Sequence, residues 1–345
     1  MLTGHFDASD LECAPFAESL WPALSGITSF RRSDREKRCD ALSPEAAAAL
    51  GSQLGKLCCI EQLHLCSNRI DADGARSLGP HLAHLTSIQQ LWLQDNEIGV
   101  DGARSLGPDL AHLTCMQQLD LSNNEIGDDG FKSLWPHLYL LTSLQQLRLS
   151  GNEFGANDVE SMAPRLALPP SIQQLCLHAN ELGADGAKLL GPHLINLMSM
   201  QQLDLSHSYV GDDGIKSLGP HLAHLTSIQQ LRFRYNKISV DGAKSLGPHL
   251  AHLVSIQQLD LSYNRIGDDG TNLLGPHLAL LIHMQLLRLM GNEIGDVGAQ
   301  SLAPHLAHLT SLQQLHLQDN FIGYTGAKSL RIKLAHLSSL QCPLI

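Results

Sequence analysis

The chain has 345 residues, a formal net charge of −11 at pH 7 and eight cysteines that show no paired spacing. The acidic balance argues against nucleic acid or a negatively charged membrane as the main partner. No apolar run approaches the roughly 20 residues of a membrane-spanning helix, and acidic residues interrupt the start, where a signal peptide would lie. The scattered cysteines fit a reducing compartment, so we expect a cytoplasmic protein.

The first part of the chain differs in pattern from the rest. Residues 1–15 are predicted to be a flexible N-terminus, and residues 16–59 to be degenerate capping repeats. Residues 16–30 have helical periodicity, as does the stretch from Ala46 to Leu57. The basic stretch between them, residues 30–40, lacks strand leucines. We interpret it as a solvated loop, with a nuclear-localisation or acidic-partner segment as the alternative.

Residues 60–339 consist of one unit of 28 residues that returns ten times without a gap. We number its positions 1 to 28, starting from Ile60. In the second copy Leu91 and Leu93, at positions 4 and 6, alternate with polar residues, which is typical of a strand. Four later apolar residues have the spacing of one helix face: Ala103, Leu106, Leu110 and Leu113. A fixed period of this length predicts a solenoid.

Neither apolar stripe can be buried within a single unit, so we expect the units to stack. The predicted fold is an α/β solenoid curved like a horseshoe, with a parallel β-sheet on the concave face and helices on the convex face. In the fourth copy Asn157, Asp158 and Pro169 interrupt the helical pattern, which predicts a shortened or broken helix. Residues 340–345 are a truncated eleventh repeat without a polar cap. This edge predicts either self-association or a longer array.

Several positions keep one residue type in most copies. Position 14 is usually Asp, which we predict to cap the helix N-terminus, and position 21 is usually Pro, predicted to lie on the outward side of the helix. An asparagine at position 9 can donate and accept hydrogen bonds, so we expect a stacked column that satisfies buried backbone groups and is weakest at Ser208. The column consists of Asn68, Asn96, Asn124, Asn152, Asn180, Asn236, Asn264, Asn292 and Asn320.

The pattern LxxLxLxxN followed by a helix resembles the ribonuclease-inhibitor-like subfamily of leucine-rich repeats, and the resemblance covers 280 of the 345 residues. Families that share this unit include ribonuclease inhibitors, the sensor arrays of NOD-like receptors and Ran GTPase-activating proteins. The resemblance implies a horseshoe that binds a partner protein on its concave face. It does not imply which partner.

Recognition is expected where the copies differ most, at positions 5, 7, 8 and 10. In copies six to eight these positions concentrate Tyr and Arg, which are enriched at binding hot spots. The predicted protein-binding residues are Trp92, Asp204, His207, Tyr209, Arg232, Arg234, Tyr235, Tyr263 and Arg265. Position 5 alternates in charge from Asp204 to Arg288, so cross-strand ion pairs are the alternative explanation for its charged residues.

Other conspicuous residues have plainer explanations. Four glutamates at position 10 form either an acidic strip for a basic partner or a solvated rim: Glu97, Glu125, Glu153 and Glu181. Most histidines recur at helix positions 22 and 25. We interpret them as solvent-exposed residues and predict no metal, because no carboxylate or thiolate joins them. Trp135, which stands where most copies have a helical glycine, is expected to pack or to lie on the convex surface.

No phosphate-binding loop and no catalytic set stands out from the repeating background, so we expect no enzymatic activity and no cofactor. The sequence predicts a non-catalytic interaction scaffold that binds a partner protein on its concave face. Two alternatives stay open. In the first, the chain is a regulator of a small GTPase, similar to GTPase-activating proteins. In the second, it is the ligand-sensing portion of a NOD-like receptor-type protein.

Overall fold

The computed structural model describes residues 3–7, 26–31, 42–55, 59–155 and 168–341. The chain divides into two compact units, residues 1–172 and 173–345, which we call unit 1 and unit 2. In each unit, short parallel strands alternate with helices along the chain. The predicted α/β repeat architecture is therefore confirmed.

Unit 1 contains six strands and four helices within its described residues. The strands are β1 (Thr3–Asp7), β2 (Gly26–Arg31), β3 (Gln62–His64), β4 (Gln90–Trp92), β5 (Gln118–Asp120) and β6 (Gln146–Arg148). The helices are α1 (Pro44–Leu54), α2 (Ala72–Leu82), α3 (Gly99–Leu110) and α4 (Gly127–Leu138). The repeat strands pair one period apart, so that Leu63 lies opposite Leu91, and Leu91 opposite Leu119.

Unit 2 contains six strands and six helices within its described residues. The strands are β7 (Gln174–Cys176), β8 (Gln202–Asp204), β9 (Gln230–Arg232), β10 (Gln258–Asp260), β11 (Leu286–Arg288) and β12 (Gln314–His316). The helices are α5 (Gly183–Leu194), α6 (Gly211–Leu222), α7 (Val240–Leu250), α8 (Gly267–Leu278), α9 (Asp296–Leu306) and α10 (Tyr324–Leu334). Pairing again follows the repeat, with Leu231 opposite Leu203 and Leu259.

The core of each unit lies between its strands and its helices. In the second copy the strand-side Leu91 and Leu93 and the helix-side Leu106 and Leu110 are all at most 1% exposed. Burying one such side chain contributes about 1.5–3 kcal/mol, and each is covered by the equivalent residues of neighbouring copies. The two predicted apolar stripes are therefore the two sides of one core.

The buried asparagines join the turns of neighbouring copies. Asn264 Oδ1 accepts the backbone N–H of Asn236 at 2.9 Å and that of Ile238 at 3.0 Å. Its Nδ2 donates to the carbonyl oxygens of Phe233 and Leu261, both at 2.9 Å. One side chain thus satisfies four backbone groups that the turn would otherwise bury without partners.

The asparagine column makes the same hydrogen bonds in unit 1 as in unit 2, and in unit 2 a serine replaces one asparagine. Asn96 makes the same four bonds to its own neighbours. At Ser208 the shorter hydroxyl donates to the Leu177 carbonyl at 3.3 Å, whereas the amide of Asn236 reaches its equivalent carbonyl at 2.7 Å. At this point of the column a serine hydroxyl replaces the asparagine amide, and its hydrogen bond to the carbonyl is longer.

Two predictions for the N-terminal part are wrong. Thr3–Asp7, predicted to be flexible, forms β1, and Gly26–Arg31, assigned mainly to a helical stretch, forms β2. Strand β2 pairs in parallel with β3, and β1 pairs with β2. The first repeat strand would otherwise present unpaired backbone N–H and C=O groups, and these two strands continue the sheet beyond it.

The helix N-termini also differ from the prediction. Helix α3 begins at Gly99, two residues before Asp101, which lies in the first turn and does not cap it. Its negative charge still interacts favourably with the helix dipole there. In helix α9 a capping acceptor comes from position 13 of the preceding copy, since Asp268 Oδ1 accepts the N–H of Gly295 at 2.6 Å and that of Gly298 at 2.9 Å. Neighbouring copies are thus joined on the helix side as well.

The histidines at position 22 are half-buried and not solvent-exposed as predicted. The ring of His249 lies against Gly219 of the preceding copy, where a Cβ atom would collide with it. The ring can pack this closely because glycine has no side chain. His252, at position 25, is exposed. Trp135 replaces the equivalent glycine in the third copy and is buried against Phe131, with ring centroids 4.5 Å apart.

Three predictions fall outside the described residues: the basic stretch after Arg31, the interrupted helix of the fourth copy and the end of the array after Gln341. Among the helices of the described ranges, none combines the length and apolar character that crossing a membrane requires. Within the same ranges, His, Cys, Asp and Glu form no group of three or more suited to holding a metal ion.

Candidate protein-binding surface

The most variable residues lie on the turn that follows each strand, and we call positions 7, 8 and 10 of every copy the rim. Position 8 has a left-handed backbone in all ten copies, with φ between 54° and 64°. Glycine, asparagine, aspartate and histidine are enriched in this conformation, whereas it costs most other residues about 1–2 kcal/mol. Copies six to eight nevertheless place His207, Tyr235 and Tyr263 there. The turn itself gives no reason for such bulky residues.

Inside the rim, position 5 carries four alternating charges in unit 2. Arg232 Nη1 lies 3.5 Å from Asp204 Oδ2, and Arg288 Nη1 lies 3.9 Å from Asp260 Oδ2. Each aspartate also accepts the backbone N–H two residues later, at 2.9–3.0 Å. We call these four residues the charge ladder. Its charges balance within the sheet, as the cross-strand alternative predicted, so a ligand would have to displace existing pairs.

Three aromatic rings stack at position 8 on consecutive copies of unit 2. The centroids of His207 and Tyr235 are 4.4 Å apart with planes at 32°. Those of Tyr235 and Tyr263 are 4.5 Å apart and nearly parallel, at 3°. Such ring pairs contribute about 0.5–1.5 kcal/mol beyond the area that they bury. Because Tyr235 remains 38% exposed, the stack presents aromatic surface to solvent.

Arg234 lies beside the two tyrosines. Its guanidinium carbon is 5.1 Å from the ring centroid of Tyr235 and 4.7 Å from that of Tyr263, which are cation–π distances. The Nε atom of Arg234 and the Oγ atom of Ser262 are buried without a hydrogen-bond partner among the described residues. We call His207, Arg234, Tyr235 and Tyr263 the tyrosine cluster. The rings fix the position of the guanidinium but do not saturate its hydrogen bonding.

The far end of the cluster is anchored two copies later. The Tyr263 hydroxyl donates to Asp319 Oδ2 at 2.7 Å. This hydrogen bond, with smaller contributions from burial and the Asp319 charge, raises the pKa of Tyr263 above its ordinary value. The ring reaches Asp319 by crossing Gly291, at which a Cβ atom would lie 2.5 Å from Tyr263 Cδ1. Glycine at that position is therefore part of the cluster's geometry.

Position 10 adds further basic and aromatic residues to this rim. The Lys237 ammonium lies 4.5 Å from the ring centroid of Tyr209, and Arg265 is exposed. Burial lowers the pKa of His207, and the positive charge of Arg234 lowers it further. His207 is consequently neutral near pH 7, and the positive charge of this rim comes from arginine and lysine.

Trp92 belongs to unit 1 and has a different environment. It is half-buried and not exposed as predicted. Its ring stacks on His64 of the preceding strand, with centroids 3.7 Å apart and planes at 7°. Most of one aromatic face is therefore covered, which favours a packing role for Trp92 over a binding role.

The four glutamates at position 10 are all exposed: Glu97, Glu125, Glu153 and Glu181. Three of them belong to unit 1 and Glu181 to unit 2, and all stand at the same position of the turn as Tyr209, Lys237 and Arg265. This exposure fits both the solvated rim and the acidic strip, so their role stays a prediction.

Sequence reasoning named all four residues of the tyrosine cluster but missed three neighbours that contact or support it. Ser262, Gly291 and Asp319 were not singled out, because each is ordinary at its own position. The signal lies in the order of residues along position 8, where glycine separates Tyr263 from Asp319. A glycine between two polar residues along this position leaves room for a tyrosine side chain to reach across it.

The stacked strand–helix units define a repeat scaffold of the solenoid class. Eight segments match the family model described as Leucine Rich repeat: residues 84–107, 112–134, 141–163, 196–219, 224–247, 252–271, 281–303 and 308–330. Because these segments together cover more than half of the chain, the protein belongs to the leucine-rich repeat family. Repeats of this kind generally mediate protein–protein interaction and are typically non-catalytic.

Two solved structures are similar to this chain at low identity. A leucine-rich repeat protein of Leptospira interrogans is 17% identical, with a TM-score of 0.53, and the match covers 99% of this chain and 90% of that chain. Internalin C2 of Listeria monocytogenes is 25% identical over 69% of this chain and 82% of its own, with a TM-score of 0.46. No curated protein matches the chain. The similarity to the Leptospira protein supports the fold alone.

Proposed function

We propose that the chain is a non-catalytic scaffold that binds a partner protein through the tyrosine cluster on the strand side of unit 2. One observation carries this proposal. Two tyrosines occupy left-handed backbone positions on adjacent turns, where Asn, Asp or Gly would be expected, and they stack with His207 and hold Arg234 beside them. Residues that a scaffold does not need, and that its backbone tolerates poorly, are expected where function selects them.

The composition of the cluster also fits a protein partner. Tyr buries a large area with little loss of side-chain entropy, and both Tyr and Arg are over-represented among residues whose truncation weakens binding most. The stacking of Tyr235 on Tyr263 and the contacts of Arg234 hold the side chains in place before binding. A pre-ordered surface loses less entropy when a partner docks.

The finer assignments from the sequence remain part of this proposal. The ribonuclease-inhibitor-like subfamily and the cytoplasmic compartment rest on the repeat pattern and the scattered cysteines. Regulation of a small GTPase and ligand sensing in a NOD-like receptor-type protein rest on the family resemblance alone. A single-turnover assay that finds no acceleration of GTP hydrolysis would exclude the first of these two roles.

Photo-cross-linking tests the proposed surface directly. A photoreactive phenylalanine derivative would replace Tyr235 in one variant and His252, which is exposed on the helix side of unit 2, in the other. In cells that produce the chain, we expect a discrete cross-linked protein from position 235 only. That product should disappear when Arg234 and Tyr263 are both changed to alanine. Identical products from both positions would show that the tyrosine cluster is not the binding surface.

A further inference from the structure

We propose that the partner docks on the tyrosine cluster with an acidic segment, one carboxylate of which pairs with the Arg234 guanidinium. This inference rests on the proposed function and specifies the chemistry of the partner. Three observations support it. The rim of copies seven and eight carries cations outside the charge ladder, the Arg234 guanidinium has no anionic partner among the described residues, and the equivalent rim of unit 1 is acidic.

The charge ladder does not contribute net charge to the surface. Arg232 pairs with Asp204, and Arg288 pairs with Asp260. Outside it, copies seven and eight present three cations on consecutive turns: Arg234, Lys237 and Arg265. Asp319, which accepts a hydrogen bond from the Tyr263 hydroxyl, offsets one of these charges. The rim of copies seven and eight is still locally basic, although the chain as a whole carries a net charge of −11. A basic patch on an acidic protein steers an acidic partner to one place.

Arg234 is the cation best prepared for a carboxylate. Its Nε and the nearby Ser262 hydroxyl are both buried without a hydrogen-bond partner among the described residues, so an incoming carboxylate would pair with the two Nη nitrogens of this half-buried side chain. The two residues lie on adjacent turns, since the N–H of Tyr235 donates to the Ser262 carbonyl at 3.0 Å. Guanidinium groups bind carboxylates with two parallel hydrogen bonds, which are roughly twice as strong as neutral ones. The tyrosine faces orient the guanidinium but offer it no anion.

The tyrosines would contact the apolar part of the same segment. Tyr235 is 38% exposed and Tyr209 is 52% exposed, so both offer aromatic surface beside the cations. Aromatic surface next to an arginine suits a peptide in which acidic residues alternate with apolar ones. A purely acidic polymer would use the charges and leave the rings uncovered.

A second copy of this chain is the less favoured occupant. Its exposed Glu97 and Glu125 could supply carboxylates, but two chains of net charge −11 repel each other at long range. The unit 1 rim also repels an acidic segment, which restricts docking to unit 2. We therefore assign the acidic segment to another protein.

Fluorescence anisotropy with synthetic peptides tests this assignment on the full chain. Three labelled peptides of equal length would alternate an apolar residue with Glu, Gln or Lys. We expect the Glu peptide to bind best, and its binding to weaken as the salt concentration rises. Arg234→Gln should weaken it about tenfold or more, because it removes a charge-assisted hydrogen bond. Arg234→Lys keeps the charge but loses the two-pronged geometry, so its effect should be intermediate.

Arg104→Gln is the matched control, since it removes one positive charge from an exposed helix of unit 1. Its binding should equal that of the unmodified chain. Equal affinity for the Glu and Gln peptides, or no effect of Arg234→Gln, would overturn the acidic-segment assignment. So would salt-dependent self-association in sedimentation that requires both Arg234 and Glu97. If the cross-link at position 235 persists in these cases, the docking surface stands and only its partner chemistry is wrong.

Discussion

The rims of the two units use the same turn for opposite chemistry. In unit 1, position 8 carries small polar residues such as Asp95 and Asn123, and position 10 carries exposed glutamates. In copies six to eight of unit 2, the rim carries the tyrosine cluster together with Lys237 and Arg265, and exposed glutamates return at position 10 on either side, at Glu181 and Glu293. The backbone is left-handed at position 8 in both units. The repeat therefore fixes where a rim residue stands, but it does not fix what that residue is.

The buried part of the same turn explains this freedom. The position 9 asparagine makes the hydrogen bonds that close the turn in both units. The side chains at positions 8 and 10, on either side of it, lie on the rim and make none of these hydrogen bonds. A scaffold held by one buried residue per copy can vary the neighbouring positions at little structural cost. This separation predicts different consequences for buried and exposed substitutions.

The largest loss of stability is expected from Asn96→Ala and Asn264→Ala. Each removes the partner of four backbone groups, and an unsatisfied buried group costs about 1–3 kcal/mol. We expect the free energy of unfolding, measured by urea titration, to fall by about 3 kcal/mol or more in both variants. Glu97→Ala, at an exposed rim position without a left-handed backbone, is the control and should stay within about 1 kcal/mol. A large loss in one unit and none in the other would contradict the shared role.

Gly291→Ala should have the next largest effect, and it should alter the tyrosine cluster. The residue has a φ of 58°, so alanine there costs about 1 kcal/mol in backbone strain. Its methyl group would also displace the Tyr263 ring from the path to Asp319. Gly151→Ala in unit 1 is the matched control, with a φ of 64° but a flexible asparagine as its neighbour.

The two glycine variants should lose similar stability but differ in spectroscopy. A pH titration of tyrosine absorbance should show the raised pKa of Tyr263 moving back toward its ordinary value only in Gly291→Ala. An unchanged titration in that variant would mean that the Tyr263–Asp319 hydrogen bond does not depend on the space above Gly291.

Ser208→Asn should stabilise unit 2. An asparagine there can donate to the Leu177 carbonyl with the shorter geometry seen at Asn236, and it adds an acceptor for the turn of the preceding copy. Each added hydrogen bond contributes about 0.5–1.5 kcal/mol, so we expect a gain of about 1 kcal/mol in urea titration. The reverse change, Asn236→Ser, should lose at least as much. A neutral Ser208→Asn would show that the serine turn has already relaxed around the shorter side chain.

Much of the fold could be predicted because the repeat displays it ten times. The apolar spacing assigned Leu91 to a strand and Leu106 to a helix, and the structure buries both. Errors occurred where no copy offered a comparison. The strands Thr3–Asp7 and Gly26–Arg31 lie before the first full unit, so only their local pattern was available, and pairing with an existing sheet edge outweighed it.

The site was predictable in composition but not in geometry. Comparing the copies with each other revealed that Tyr235 and Tyr263 are unusual at position 8. It could not show that Trp92 is covered by His64, because stacking depends on side-chain conformation. Nor could it show that Asp268 caps the next helix, since that hydrogen bond crosses from one copy to the next. Contacts between copies are the information that a single repeat pattern lacks.

The smallest predicted effect concerns position 22, where histidines in unit 2 and an aspartate in the second copy should give pH dependences of opposite sign. His221 and His249 in unit 2 lie against glycines of the preceding helices, and burial lowers the pKa of both. In the second copy Asp109 lies against Gly79, and burial raises the pKa of Asp109. In each case the folded chain favours the neutral form.

For the histidines, the stabilising contribution is present above their ordinary pKa of 6.5 and is lost as the pH falls through that value toward the lowered pKa. His221→Gln with His249→Gln should therefore flatten the decline of stability between neutral and mildly acidic pH, measured as the melting temperature. His308→Gln, at an exposed position 25, is the control and should leave the profile unchanged. For Asp109 the sign is opposite, because its charged form is disfavoured in the folded chain at neutral pH. Asp109→Asn should raise the melting temperature slightly at pH 7 and lose that advantage as the pH falls through the raised pKa of Asp109. A parallel response of both variants to pH would mean that burial against the glycines does not control these titrations.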